Sequence, residues 1–290
     1  MKPPLLGAHM SIAGGLEQAL WRGHALGCRT VQLFTKNACQ WKERSLGKDE
    51  KAAFRKAKKE TKIGPVISHG GYLVNLASPD PDLRKKSISA TLEEMRRCEA
   101  LGVEYLVIHP GAYRRGSELD GVKRVISSLN LLGKQTQAFK VEILLEITAG
   151  QGTYIGSRLE QLAEIMDGCE DPAGIGLCLD TCHAFSAGYD LSSEERCDDF
   201  FGRIDCIIGL ERLRLIHLND SLFECGSGRD RHAHIGRGKI GERAFRRIMQ
   251  NESLENIPKI IETPKMGDMD QVNLNLLRGF AGIRSLSNPA

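Results

Sequence analysis

The apolar run Gly176–Leu179 ends in Asp180, and His183 follows three residues later. Other apolar runs end the same way. His9 closes the first, His69 the third, His109 the fourth and Glu146 the fifth, while His217 and Glu262 lie at the ends of the seventh and eighth. Asp230 and His232 sit in the polar stretch beyond the seventh run. A single histidine at a strand end is more often a hydrogen-bonded core residue than a ligand, but that reading fits poorly when imidazoles and carboxylates recur together. Imidazole and carboxylate donors without a cysteine-rich motif suit zinc or manganese in a catalytic site. Nine such groups, His69, His109, Glu146, Asp180, His183, His217, Asp230, His232 and Glu262, exceed the needs of one tetrahedral ion. Two or three ions are implied, and their charge would relieve the repulsion among buried carboxylates. Ions roughly 4 Å apart can activate water, hold a phosphate and neutralise a leaving oxygen, which suits phosphodiester hydrolysis. Cys182, between Asp180 and His183, is a further candidate ligand on weaker grounds, as a single thiol.

The elements that must position these groups alternate. Strand-like runs are expected at 5–9, 30–35, 65–70, 104–109, 140–147, 175–180, 212–218 and 258–263. Between them lie longer stretches with apolar residues three and four apart, the mark of amphipathic helices. Gly27, Gly64, Gly102 and Gly209 stand where such helices would end. A shorter helix is expected near 271–280. Eight strand–helix units at this spacing fit a closed (β/α)8 TIM barrel, an α/β fold in a single domain over residues 1–290, with a doubly wound sheet as the alternative. In a barrel every one of these strand ends meets at one mouth, where active sites sit. Residues 218–240 are polar, glycine-rich and charged, and read as a long functional loop.

Composition is permissive. The 290 residues are 41% hydrophobic and 27% charged, enough for one large core. The formal net charge of +3 allows a polyanionic partner without demanding one. Nine cysteines, with no C-x-x-C pair, favour a reduced, cytoplasmic setting. No leader and no segment long enough to span a membrane are read in the sequence, so no membrane association is expected.

Other loops would share the mouth. Residues 35–41, TKNACQW, offer Lys36, and residues 69–76, HGGYLVNL, place Tyr72 and Leu73 where a polar loop is expected. These two form either a small inward-packed cap or a wedge entering a DNA stack. Lys36, Arg229 and Arg231 are candidate phosphate contacts, which position nucleic acid without reading its sequence. A rival reading is a single-metal sugar isomerase or epimerase on a similar barrel. Another is a DNA-binding protein without catalysis.

The segments HGGYLVNL, LVIHPG, LLEITAGQGT, GLCLDTCHAFSAGYD, HLNDS, DRHAHIGRGKIG and IIETPK, in this order, resemble the motifs of the endonuclease IV family of apurinic/apyrimidinic endonucleases. The resemblance extends over nearly the whole chain, from GAHMSIAGG onward. It implies a (β/α)8 barrel with three zinc ions, in part replaceable by Mn2+. It implies that His69, His109 and Glu146 hold the first ion. Glu146 would bridge to a second held by Asp180, His217 and Glu262, and His183, Asp230 and His232 would hold the third. The implied activity is cleavage of duplex DNA on the 5′ side of an abasic site, leaving a 3′-hydroxyl and a 5′-deoxyribose phosphate, with trimming of blocked 3′ ends, in base excision repair. Glu146 and Glu262 would orient the attacking hydroxide. The implied partner is double-stranded DNA, met by a monomer in the cytoplasm and nucleoid. Two departures stand out: Cys39 where the family usually has arginine, and Ile147 where it usually has asparagine. By strand alternation the Ile147 side chain should point away from that of Glu146. His234 lies outside the implied ligand set.

Overall fold

The structure, a computed structural model, describes residues 3–42 and 44–282. In chain order the elements are β1 (Leu6–His9), α1 (Leu16–Ala25), β2 (Thr30–Leu33), α2 (Lys48–Thr61), β3 (Val66–His69), α3 (Pro81–Leu101), β4 (Tyr105–Ile108), α4 (Glu118–Thr136), β5 (Glu142–Glu146) and α5 (Leu159–Asp167). They continue with β6 (Ile175–Asp180), α6 (Thr181–Ser186), α7 (Glu194–Ile207), β7 (Leu213–His217), β8 (Asp220–Ser221), β9 (His232–Ala233), α8 (Glu242–Gln250), β10 (Lys259–Ile261) and α9 (Met269–Phe280). Eight parallel strands close into a barrel in the order β1-β10-β7-β6-β5-β4-β3-β2, and β8 and β9 form a separate antiparallel hairpin. The fold is a (β/α)8 barrel, as the alternation of units implies; the doubly wound sheet is excluded by closure of β1 onto both β10 and β2.

Local chemistry explains the helix limits. Asp80 caps α3 by accepting from the backbone N–H of Asp82 and Leu83, with Pro81 preset for the first turn. Gly102 ends that helix with φ of 72°, a left-handed conformation that costs glycine nothing. Gly64 does not play the terminating role expected of it. Helix α2 stops earlier, with Lys62 taking the left-handed position (φ 57°).

Strand alternation then sorts the side chains into two layers. Ile67, Val107, Leu144, Cys178, Leu215 and Ile260 form a small apolar plug inside the barrel. The alternate residues, such as Ile108, Leu145, Leu179 and Ile216, join a much larger layer packed beneath the helices. Ile147 lies in that outer layer and is fully buried, as alternation from Glu146 requires. Emptying one plug position, for example by Leu144→Ala, would cost roughly 2–5 kcal/mol. At Gly7 the approach of β2 excludes any side chain, since a Cβ there would lie 1.8 Å from the Thr30 carbonyl oxygen. Among the described residues no helix is long and apolar enough to cross a membrane. All nine cysteines are free thiols.

Candidate metal centre

Each plug residue is followed two positions later by a polar group. The pairs are Ile67 and His69, Val107 and His109, Leu144 and Glu146, Cys178 and Asp180, Leu215 and His217, and Ile260 and Glu262. A period of two keeps both members of a pair on the inward face, so six ionisable groups form one layer directly above the plug. Parallel registry sets Asp180 beside His217 within the layer, while the stagger of the tilted strands sets Glu146 beside Cys178 and His69 beside Val107, residues of the plug.

Three more groups come from outside the barrel strands. Helix α6 begins directly after β6, and the Asp180 carboxylate caps it by accepting from the His183 N–H at 2.9 Å. One turn is enough to swing His183 over the mouth. Asp230 and His232 arrive on the segment between β8 and β9, where Ser221 pairs with His232. Asp220 anchors that segment, accepting from the N–H groups of Ser221, Gly238 and Ile240. The stretch 218–240 is therefore an ordered hairpin arm rather than an irregular loop.

The nine groups converge. Glu146 is fully buried, and its two oxygens face imidazoles on every side. One oxygen is 3.1 Å from His69 Nε2 and 2.8 Å from His109 Nε2. The other is 2.9 Å from His217 Nδ1 and 3.4 Å from His183 Nδ1. His217 Nδ1 lies 3.3 Å from Glu262 and 3.8 Å from Asp180. His183 Nε2 is 3.2 Å and His232 Nε2 3.4 Å from one oxygen of Asp230. Among the described residues, candidate ligand atoms lie within 4.8 Å of one another in five groups, two of which include a buried cysteine (Cys178 or Cys182); the three without one are His69 with His109 and Glu146; Glu146 with Asp180, His217 and Glu262; and His183 with Asp230 and His232. Glu146 belongs to two of these three.

The donor set fits divalent cations. His183 Nε2 and His232 Nε2 are buried without a hydrogen-bond partner, and both face Asp230. Two orphaned imidazole nitrogens aimed at one carboxylate would be costly unless a cation sat among them. Their other nitrogens are fixed by backbone carbonyls, Nδ1 of His183 on Ile147 and Nδ1 of His232 on Glu262, an arrangement that orients histidine ligands. Burial alone would raise the Glu146 carboxyl and depress the His69 imidazole. The imidazoles of His109 and His217 instead hold Glu146 well below the ordinary carboxylate range, and contact with Glu146 pushes His69 up to about 9. Burial pushes the Cys182 thiol up to about 12. Its sulfur contacts the Arg231 carbonyl at 3.6 Å, and it also falls in a group with Asp180 and His232.

Two groups that the sequence reading did not single out hold the ligands in place. Asn219 donates to Asp180 at 2.6 Å and accepts from the Glu262 N–H at 2.8 Å. Gln32 contacts both His217 and Glu262. Neutral amides carry no ligand signal of their own; only the inward register of Gln32 and the position of Asn219 two residues after His217 could have pointed to them.

A cavity of about 510 Å³ opens over the centre, lined by ligand groups together with His9, Phe34, Tyr72 and Tyr154. At its rim Tyr72 is 70% exposed and Leu73 is at the surface, so neither packs inward as a cap. Arg229 and Arg231 are exposed on the hairpin arm, Arg229 stacked over Phe223. Lys36 departs from its expected role. It is buried, 3.2 Å from Glu94, and donates to the Gln40 carbonyl, so it braces its loop from within instead of offering its charge to a phosphate. Cys39 is exposed on the same loop, and His234 contacts Asn273 away from the ligand groups.

Comparison with known proteins extends this picture. A family profile described as xylose isomerase-like TIM barrel matches residues 22–285. A probable endonuclease 4 of Chloroflexus aggregans is 45% identical over 282 residues, covering 97% of this chain and 99% of the relative. One from Trichlorobacter lovleyi is 46% identical, covering 95% of this chain and 99% of its own. The crystal structure of endonuclease IV from Thermus thermophilus superposes with a TM-score of 0.85 at 35% identity, covering 96% of this chain and 99% of that one. A D-tagatose 3-epimerase-like protein superposes at 0.73 but at 17% identity, a likeness of fold alone.

Proposed function

We propose, from the premise that this chain belongs to the endonuclease IV family, that it is a metal-dependent apurinic/apyrimidinic endonuclease that hydrolyses the phosphodiester 5′ to an abasic site in duplex DNA. The products are a 3′-hydroxyl and a 5′-deoxyribose phosphate, and blocked 3′ ends are trimmed by the same chemistry. The reading carries with it a single domain over residues 1–290 and a monomer acting on DNA in the cytoplasm, as part of base excision repair. The observation that supports it most is the sharing of Glu146 between two groups of ligand atoms, with a third group alongside.

His69, His109 and Glu146 form the first site, Glu146, Asp180, His217 and Glu262 the second, and His183, Asp230 and His232 the third. Zinc held there, with Mn2+ able to replace part of it, would make water nucleophilic near neutral pH and neutralise charge on the phosphate and the leaving oxygen. The protein's own part is positional. Glu146, locked by four imidazoles, and Glu262, less buried and at the cavity edge, orient the attacking water. No side chain would need to act as an acid, because an ion held by His183, Asp230 and His232 would neutralise charge on the departing 3′ oxygen. Tyr72 and Leu73 fill the gap beside the lesion, while Arg229 and Arg231 hold flanking phosphates. An abasic nucleotide has no base to unstack, so moving it into the cavity costs less than moving an intact one.

The test combines metal content by mass spectrometry with cleavage of a duplex carrying one abasic analogue. About three zinc ions per chain and a 3′-end that a polymerase extends are expected. A β-elimination product would overturn the hydrolytic scheme.

A further inference from the structure

The barrel strands offer eight inward positions at the mouth. Six are filled by residues already assigned to ligand groups. The other two, His9 on β1 and Gln32 on β2, are register neighbours and belong to none of those groups. The Gln32 side chain is fully buried, and it touches three of its neighbours at once. Its Oε1 is 2.7 Å from His217 Nε2, and its Nε2 is 2.5 Å from Glu262 and 2.9 Å from His9 Nδ1.

Hydrogen-bond logic places the protons around the Gln32 amide. A carboxylate only accepts, so the Gln32 nitrogen, not its oxygen, must face Glu262. The amide oxygen then faces His217, which must donate from Nε2. With a cation held in the second ligand group, His217 Nδ1 is then the lone pair turned to it; without one, Nδ1 donates to Glu146 at 2.9 Å. The amide nitrogen carries two hydrogens. One serves Glu262 and the other meets His9 Nδ1. Two N–H groups cannot face each other at 2.9 Å, so His9 Nδ1 is the acceptor and its proton resides on Nε2. The alternative, an Nδ1–H bonded to Glu262, would have to span 3.5 Å, a far weaker contact. His9 lines the cavity over the metal centre, and among the described residues its Nε2 has no hydrogen-bond partner.

We propose that Gln32 is a positioning residue that sets the tautomers of His217 and His9, and that His9 thereby presents Nε2–H to a non-bridging oxygen of the phosphodiester being cleaved. The proposal rests on the nuclease reading for its substrate, but its tautomer assignment does not. One amide thus links a ligand group to a substrate contact. The donor lies beside Glu262. It costs no charge in the resting site, because a neutral imidazole donates without adding to the cations already present.

Nitrogen-15 imidazole spectra of the zinc-loaded protein test the tautomers directly. His9 and His217 are both expected protonated at Nε2, and an Nδ1–H form of His9 in the wild type would overturn the proposal. Gln32→Leu should abolish the single-tautomer signal of His9 and weaken zinc binding about 10- to 100-fold, the usual consequence of removing a group that orients a ligand. Unchanged spectra and zinc affinity in that variant would also sink it. For the substrate contact, His9→Ala should keep wild-type zinc content and KM while kcat falls on the order of 10²-fold, the effect of losing one preorganised donor. His9→Gln, which retains a donor, should recover most of the rate, and His9→Phe should not. Equal activity of the Gln and Phe variants would refute the donor role. Failure of the wild type itself to cut abasic duplex would instead refute the nuclease reading, leaving the tautomer result to stand or fall alone.

Discussion

The ligand groups are built in two different ways. The groups centred on Glu146 stand on barrel strands, at or one residue past their ends, with the apolar plug directly below. The His183–Asp230–His232 group stands on a six-residue helix, a two-residue hairpin strand and the loop just before that strand. Exposure does not sort by construction: the Glu146, Asp180 and His217 side chains are fully buried, but strand-borne His109 is 31% exposed, close to the 34% of Asp230, and helix-borne His183 is buried. A strand-borne ligand is held by the sheet itself, through backbone hydrogen bonds on both sides. An arm-borne ligand is held only by the turns and caps that fold the arm. The contrast in support implies a rigid pair of sites beside a more yielding third.

Glu146→Gln offers the harshest test, because it strikes both strand-borne groups at once. Activity should fall by roughly 10³-fold or more, and mass spectrometry should find fewer than three ions per chain. Asp230→Ala should cost on the order of 10²-fold in rate, yet leave two ions in place. Titration with a chelator should likewise strip the third site first. If Asp230→Ala empties all three sites, the two constructions are not independent. Asp220→Ala addresses the arm without touching a ligand. Three backbone N–H groups lose their acceptor, which should destabilise the fold by about 1–3 kcal/mol and loosen the third ion selectively, as read by thermal melts and zinc titration. Tyr72→Ala should weaken binding to abasic duplex by around tenfold, on the scale of one lost stacking contact, with zinc content unchanged.

The smallest effect concerns pH in the metal-stripped protein. Contact with Glu146 raises the folded-state pKa of His69 to about 9, above its ordinary value of 6.5. Such a group adds stability that is fully present below about 6.5 and is lost as pH rises through 9. The melting temperature of the stripped wild type should therefore decline across that window, relative to stripped His69→Ala. Reloading with zinc should erase the difference, since the ion replaces the proton.

Much of this arrangement was legible in the chain because a strand's alternation is a property of sequence. Once His69 and Glu146 are read as strand ends, Ile67 and Leu144 must lie beneath them, and Ile147 must turn away. Eight units of strand and helix suit a barrel but leave a doubly wound sheet open until β1 is seen to pair with both β10 and β2, and the family motifs imply the ligand set. The hairpin arm was different. Its two-residue strands are too short to show a period, so residues 218–240 read as loop. Helix α6 was hidden for a related reason: six residues following a buried strand give no amphipathic stripe, and only Asp180 as its cap marks the start. Lys36 misled because a lysine in a polar loop looks exposed. Its burial depends on Glu94, nearly sixty residues away on α3, which no local pattern couples to it.

The sequence by itself determined which residues face inward, since backbone alternation and the positions of glycine and capping residues are local. It also determined the kinds of donor atom available at the mouth. Tertiary structure alone decided which donors come together, which nitrogen of each imidazole is left facing them, and which charged side chains reach solvent. Those outcomes are set by distances of a few ångströms between strands far apart in the chain, and by buried amides such as Gln32 and Asn219, whose meaning lies entirely in what they touch.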